Sequence, residues 1–353
     1  MHGAGISRGI TIASRQLSRA VLAYRMRWKR RRLLYRSWRK RRQLSLVIDR
    51  TDRIHPNAIL SFTTLRNEIA RLPYFLEHYR ALGVEHFIVV DNDSDDGSAE
   101  FLAHQPDVSV WHTSHSYRLS RFGVDWLTWL QMTYAHDHWT LTVDVDELLI
   151  YPDWDTRKLP DLTAWLDARH QPMLGAMMLD MYPKGAVGSA KYTPGTDPTR
   201  VLNWFDAYGY WVQRQPRMDS LWLQGGVRLR CFFQSEPERA PTLNKVPLVK
   251  WNKRYAYVSS AHSMLPPRLN HIYDENGQEK VTGVLLHTKF LDQIVAKSSV
   301  EKQRQEHFSN SSLYDAYYDA LADNPILWDE SSVAYQNWEQ LVDLGLMSKG
   351  EWA

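Results

Sequence analysis

The sequence predicts an α/β fold with a central, mostly parallel sheet flanked by helices. Three observations carry the prediction. Residues 58–90 read as strand, helix and strand within the ~35 residues that a βαβ unit occupies. The run Trp139-Thr-Leu-Thr-Val143 reads as a further central strand. Both the second strand and this one end in acid clusters, and ligands of open α/β sheets bind beyond the carboxyl ends of the strands.

Residues 58–64 are apolar enough for a buried strand. Residues 68–82 follow with Ile69, Leu72, Leu76 and Tyr79 on one helical side, and Gly83 stands where a helix C′ residue belongs. His86-Phe-Ile-Val-Val90 is the second strand, and a right-handed crossover makes it a parallel neighbour of the first. A helix over 99–104 and a strand over 108–111 come next. Residues 123–136 repeat Trp126, Trp129, Leu130 and Tyr134 at helical spacing. Beyond the strand at 139–143 the sequence predicts a helix over 161–168 and a strand over 174–179. Residues 183–225, rich in Gly, Pro and aromatics, read as loop. Residues 225–233 read as a turn running into a strand, and the chain after Phe290 reads as helical and polar. No internal repeat is present.

The length of 353 residues fits one large domain with appendages, or two domains. An apolar fraction of 44% with 24% charged residues excludes a disordered or collagen-like chain. No run of 18 apolar residues exists to span a bilayer. The single cysteine, Cys231, excludes an internal disulfide and a CxxC zinc finger. The 15 Trp and 18 Tyr suit sugar stacking, and equally cores and membrane interfaces.

The net charge of +3 conceals an asymmetry. Residues 1–42 hold 14 Lys and Arg and no acid, leaving 29 basic and 40 acidic residues for the rest. Residues 1–50 therefore read as a basic arm, helical because no Pro or Gly falls between Ile10 and His55. Trp28, Leu33, Leu34, Tyr35 and Trp38, interleaved with the charge, suit an interfacial helix on an anionic membrane surface. A solvated tail is the plainer reading of the same charge. Nucleic acid is not expected as a partner, because no reading module accompanies the basic run. The division expected is an arm over 1–50, a catalytic domain over 51–290 and a helical segment over 291–353.

The sharpest chemical signal is Asp144-Val-Asp146-Glu147. Residues i and i+2 of a strand point the same way, so Asp144 and Asp146 can face one divalent cation, or one can hold the metal and the other a ribose. Hard carboxylate oxygens suit Mg²⁺ or Mn²⁺, which leave positions for phosphate oxygens. There is no GxGxxG after the first strand, no GxxxxGK[ST], no HExxH and no GxSxG. His112, His115, His136 and His138 have no ligand spacing, and Asn310-Ser-Ser312 matches a glycosylation sequon.

Arg66-Asn-Glu68, Asp91-Asn-Asp-Ser-Asp-Asp-Gly-Ser98 and Asp144-Val-Asp-Glu147 occur in that order. Together they resemble the family-2-like nucleotide-sugar glycosyltransferases of GT-A fold, in the bacterial branch with RNE, DNxSxDG and DVDE motifs. The resemblance spans about residues 60–350, with Asp180-Met-Tyr-Pro183, Gly225-Gly-Val-Arg-Leu-Arg230, Lys245-Val-Pro-Leu-Val-Lys250 and Leu286-His-Thr-Lys-Phe290 in support. It implies a GT-A-like, Rossmann-type sheet. The implied reaction is metal-dependent transfer of a sugar from a nucleotide-sugar donor, by family habit UDP-linked, to a glycan or lipid-linked hydroxyl acceptor. A peripheral place on the cytoplasmic face of the membrane would suit such an enzyme.

By motif, the nucleotide edge falls on Thr64, Arg66, Glu68 and Asp91, and the metal on Asp144 and Asp146. The family's additional histidine ligand corresponds to His262 or His287, with His262 preferred. Arg228, Arg230, Lys245, Lys250 and, more distantly, Arg121 are candidates to stabilise the diphosphate leaving group. Glu236, Glu238 and Asp180 are candidates for the base that deprotonates the acceptor. Two rival readings are a sugar nucleotidyltransferase on a related fold and a non-catalytic carbohydrate- or membrane-binding protein. Against the first, Thr63-Thr-Leu-Arg-Asn-Glu68 lacks the glycines of a phosphate loop.

Overall fold

The computed structural model describes residues 4–273, 280–295, 297 and 315–352. The described chain opens with a long helix, α1 (Ala4–Lys40). After it come β1 (Ser45–Ile48), β2 (Leu60–Leu65), α2 (Leu72–Ala81), β3 (His86–Asp91), α3 (Ser98–Ala103) and β4 (Val108–His112). Next are α4 (Val124–Tyr134), β5 (Trp139–Thr142), β6 (Glu147–Ile150), α5 (Leu159–Ala168), β7 (Met173–Asp180) and β8 (Trp204–Asp206). The hairpin β9 (Trp211–Gln215) and β10 (Ser220–Gln224), α6 (Gly226–Phe232), β11 (Asn244–Lys250), β12 (Ala256–Ser259), β13 (Ser263–Leu265) and β14 (Thr282–His287) follow. Last come α7 (Asp315–Ala322), β15 (Ser332–Ala334) and α8 (Trp338–Asp343).

The central sheet has the order β1-β4-β3-β2-β5-β11-β7-β14-β6. Strands β4, β3, β2 and β5 are parallel, and β7 and β14 are parallel to each other. Strand β11 runs against both β5 and β7, so all six of those strands point one way. The edge strands β1 and β6 run the other way. The expected mostly parallel α/β sheet is therefore present. One rim of it gathers the carboxyl ends of β2, β3, β5, β7 and β14 with the amino ends of β6 and β11.

The two faces of the sheet follow from side-chain alternation. In β3, Phe87 and Val89 pack with Leu72, Phe75, Leu76 and Leu162 from α2 and α5. Ile88 and Val90 pack on the other face with Trp126, Leu127 and Leu130 from α4. Gly123 turns the chain into α4 at a φ of +74°, and a Cβ there would lie 2.6 Å from Thr64 Oγ1, so the approach of α4 to β2 requires glycine.

Four expectations change. Residues 68–71 precede α2, because their backbone serves the neighbouring loop described below. Residues 226–232 form a helix, not a strand: Gly225 and Gly226, with φ of +144° and +64°, set its start. Val227, Leu229, Phe232 and Phe233 then bury a helical stripe against Tyr317 and Leu321. The loop-like 183–225 contains β8 and the hairpin, and the 291–353 segment contains β15, paired to β8, beside its helices.

The arm is also more integrated than its charge suggests. Ser45–Ile48 joins the sheet edge against β4. The second half of α1 lies on the domain, with Leu33 packed against Ala256 and Leu265. Arg36 Nε donates to Asp125 Oδ2 at 2.6 Å, and that carboxylate is wholly buried. The sequon at Asn310 lies outside the described residues.

Candidate active site

The first two motifs form one structure. The loops after β2 and β3 are sewn together: Asn67 Nδ2 donates to Asp95 Oδ1 at 2.8 Å, and Asp95 N donates back to Asn67 Oδ1 at 2.9 Å. Ile69 N donates to Asp96 Oδ2 at 3.0 Å, and Glu68 N to Ser98 Oγ at 3.1 Å. Asn67 and Asp93 take the left-handed backbone region, which Asn and Asp tolerate better than most residues. These short polar side chains are therefore needed to hold the loops.

Within this frame Asp91 is buried at the end of β3 and accepts from Ser94 Oγ and, at 3.4 Å, from Ser94 N. Thr64 Oγ1 is buried with no hydrogen-bond partner in the structure. Arg66 Nη1 donates to Asn92 O at 3.0 Å. Glu68, expected at the nucleotide edge, is committed elsewhere: it accepts from Arg71 Nη1 at 2.7 Å and from Lys297 Nζ at 2.8 Å.

At the next carboxyl end along the rim, the acids of Asp144-Val-Asp146-Glu147 divide. The Asp144 carboxylate is 3.0 Å from Lys245 Nζ, which also donates to the fully buried Glu147. Glu147 in turn accepts from Asp144 N at 3.1 Å. Burial pushes Glu147 up to about 7, against the pull of Lys245. Burial opposes the Lys245 charge, but Asp144 and Glu147 outweigh it and raise its affinity for its proton. Lys245 is thus a buried counter-ion for the motif, not a side chain free for phosphate.

Asp146 faces the other way. Its carboxylate Oδ2 lies 3.3 Å from His287 Nε2. The parallel register of β7 and β14 sets His287 beside Asp180, and His287 Nδ1 is 2.6 Å from Asp180 Oδ1. Thr288 N and Oγ1 both donate to Asp146 O, at 2.7 and 3.0 Å, fixing the Asp146 backbone. Behind these, Arg228 Nε donates to Asp180 Oδ2 at 2.7 Å. Burial would raise Asp146, but His287, Arg71 and Lys289 hold it well below the usual carboxylate range. Asp180 likewise resists burial and is held down to about 2 by Arg228 and His287. Both carboxylate oxygens of Asp180, a candidate base by motif, are thus occupied, one by Arg228 Nε and the other by His287 Nδ1.

The Asp146–His287 pair fits a hard divalent cation. Two donors at ~2.1 Å on adjacent octahedral positions stand about 3 Å apart, close to the observed 3.3 Å. A histidine ligand ordinarily gives its second ring nitrogen to a carboxylate, as His287 does to Asp180. No group of three or more His, Cys, Asp or Glu able to hold a metal occurs among the described residues. Asp146 and His287 are thus a pair of such donors facing each other. Asp144, turned to Lys245, does not join it.

Of the two candidate histidines the structure brings His287, not the preferred His262, into contact with Asp146. His262 Nδ1 bonds Asn244 O at 2.7 Å, and burial and then Lys245 push its pKa down to about 3. It lines a cavity of about 630 Å³ with Met26, Lys29, Arg217 and Trp222, between α1 and the β9–β10 hairpin. Glu236 is exposed and ion-paired to Arg239, and Glu238 is exposed. Arg230 is tied to Asp206 and Asp329, and Arg121 to Asp125. Lys250 ends β11, at the opposite end of the sheet, and pairs with Asp167.

Arg71 and Lys289 are the residues sequence reasoning missed. Arg71 is buried beside the cluster, its Nη2 weakly bonded to Thr288 O and Lys289 O at 3.3 and 3.4 Å and its Nε without a partner. Arg228 Nη2 is also buried without a partner. Lys289 follows His287 by two positions, the same spacing as Asp144 and Asp146, just beyond the end of β14.

No family model matches the chain, and no curated protein matches it. Solved structures overlap it in part. A 4-diphosphocytidyl-2C-methyl-D-erythritol synthase shares 17% identity over 40% of this chain and 68% of its own, with a TM-score of 0.24. A UTP-bound UGPase from Acinetobacter baumannii shares 11% over 54% and 74%, with a TM-score of 0.28. A structure described as a glucose-1-phosphate thymidylyltransferase from Bacillus anthracis, in complex with a sucrose, shares 7% over 74% and 82%, again with a TM-score of 0.28.

Proposed function

We propose that the protein is a divalent-cation-dependent glycosyltransferase. It would take a nucleoside-diphosphate sugar as donor and a hydroxyl on a glycan or lipid-linked molecule as acceptor. The observation that carries this reading is the convergence of Asp146 and His287 at the carboxyl-end rim, with Asp180 holding His287 from behind.

Asp146 and His287 would hold Mn²⁺ or Mg²⁺, which when bound supplies Lewis-acid stabilisation of the diphosphate leaving group. Arg71, Lys289 and Arg228 surround the same point with positive charge, and two of them keep a buried N–H to give. Such pre-placed donors stabilise charge that develops as the glycosidic bond breaks. Asp91 and Thr64, at the ends of adjacent parallel strands, would form the edge that receives the nucleoside. The cavity lined by His262, which bonds Asn244 at the amino end of β11, would receive the acceptor.

A nucleotidyltransferase is the second reading; the solved structures that overlap the fold include a thymidylyltransferase. Product analysis separates the two. Incubation with Mn²⁺ and a panel of nucleotide sugars is expected to release nucleoside diphosphate, and Asp146→Ala and His287→Ala should each lower that release at least ~100-fold. Pyrophosphate formation from a nucleoside triphosphate and a sugar phosphate would favour the second reading. Full activity of Asp146→Ala in the presence of EDTA would remove the first.

A further inference from the structure

The docking of α1 leaves it with two unlike faces. Met26, Arg30, Leu33, Leu34 and Ser37 recur at three and four residues and turn toward the domain, the last three closing against β12, β13 and α4. Val21, Tyr24, Trp28, Tyr35 and Trp38 also recur at three, four and seven residues, and all are exposed. At ~100° per residue the two rows lie about 150° apart around the helix. Tyr24, Trp28 and Tyr35 remain more than half exposed, at 59%, 52% and 59%. An aromatic row thus lies on the side of the helix turned from the protein body.

Charge identifies what covers it. Arg27 borders the row on one side, and Arg25 and Arg32 on the other, while Arg31 lies over the Trp28 ring at 5.3 Å. The helix carries no acidic residue. A second copy of α1 would bring like charge against these arginines, whereas anionic lipid headgroups would neutralise them. Trp and Tyr place an apolar body below the headgroups and a polar edge at their level, and arginines reach outward past them. No helix among the described residues is long and apolar enough to cross a membrane, so the contact is a surface one.

We propose that the outward face of α1, centred on Tyr24, Trp28, Tyr35 and Trp38, seats the protein on an anionic lipid bilayer with the helix axis parallel to the surface. The proposal stands apart from the catalytic reading. Its test uses the full chain in flotation with phosphatidylcholine vesicles and with vesicles carrying about one-third phosphatidylglycerol. The expected result is binding to the anionic vesicles that falls as salt rises.

Arg25→Gln with Arg32→Gln should weaken the binding about 30-fold, which is about 2 kcal/mol at two charges. Tyr24→Ser with Trp28→Ser should weaken it at least tenfold. All four side chains are exposed, so the thermal midpoint should hold, and the arginine pair serves alone if the aromatic pair unfolds. Equal binding to both vesicle types, or undiminished binding by the variants, would overturn the proposal. So would a Trp28-dependent dimer in sedimentation with no vesicle binding.

Discussion

Asp180→Asn tests the arrangement behind His287 most directly. Asparagine keeps the size and removes the charge that both His287 Nδ1 and Arg228 Nε contact, at 2.6 and 2.7 Å. The Arg228 side chain is 6% exposed, so its cation is left buried without a counter-ion. Removing one member of such a pair costs about 3–5 kcal/mol. The effect on the proposed metal is separate. Losing the carboxylate that orients a ligand histidine lowers metal affinity about 10–100-fold.

The two effects come apart in a double variant. Asp180→Asn with Arg228→Met removes the stranded charge and should recover most of the stability, while the affinity for Mn²⁺ stays low. Urea denaturation gives the first quantity. The dependence of the thermal midpoint on Mn²⁺ concentration gives the second, because a ligand of the folded state stabilises by mass action. An Asp180→Asn protein within ~0.5 kcal/mol of the parent, with an unchanged Mn²⁺ response, would refute the reasoning.

Three further outcomes are expected. Lys245→Met removes the cation beside the wholly buried Glu147, whose pKa of about 7 should then rise further. The variant's loss of stability relative to the parent should therefore be larger at pH 8.5 than at pH 6, and an equal loss at both pH values in urea denaturation would count against the pairing. His78, buried with its Nε2 against Leu149 O, has its pKa pushed down to about 4, chiefly by burial. The folded state therefore binds its proton less readily than the unfolded chain. Its contribution is complete above pH 6.5 and should fall by about 3 kcal/mol by pH 4, a slope that His78→Gln should flatten. Asp125→Ala leaves Arg36 and Arg121 without their shared carboxylate and should loosen α1, read as faster tryptic cleavage within residues 25–42.

The sheet was legible because its signals are local. Apolar runs of four to six residues, the acids that end them, and the helical spacing between them are all properties of short windows. Two windows misled. Residues 225–233 are apolar enough for a strand, but the left-handed backbone of Gly226 starts a helix there. Glu68 looked like a ligand residue from its motif, yet its carboxylate is held by Arg71 and by Lys297, more than 200 residues away in sequence.

Sequence alone determined that acids crowd the ends of buried strands and that a long basic helix precedes them. Only the folded chain decided which acids stay available. Strand β11 runs against its neighbours between β5 and β7, which delivers Lys245 to Asp144 and Glu147. Strand β14 lies parallel to β7, which delivers His287 to Asp146 and Asp180. Opposite charges buried within 3 Å of each other bind far more strongly than the same groups in water. Strand order, which no short window encodes, therefore sets which carboxylate is neutralised inside the protein and which remains to meet a cation.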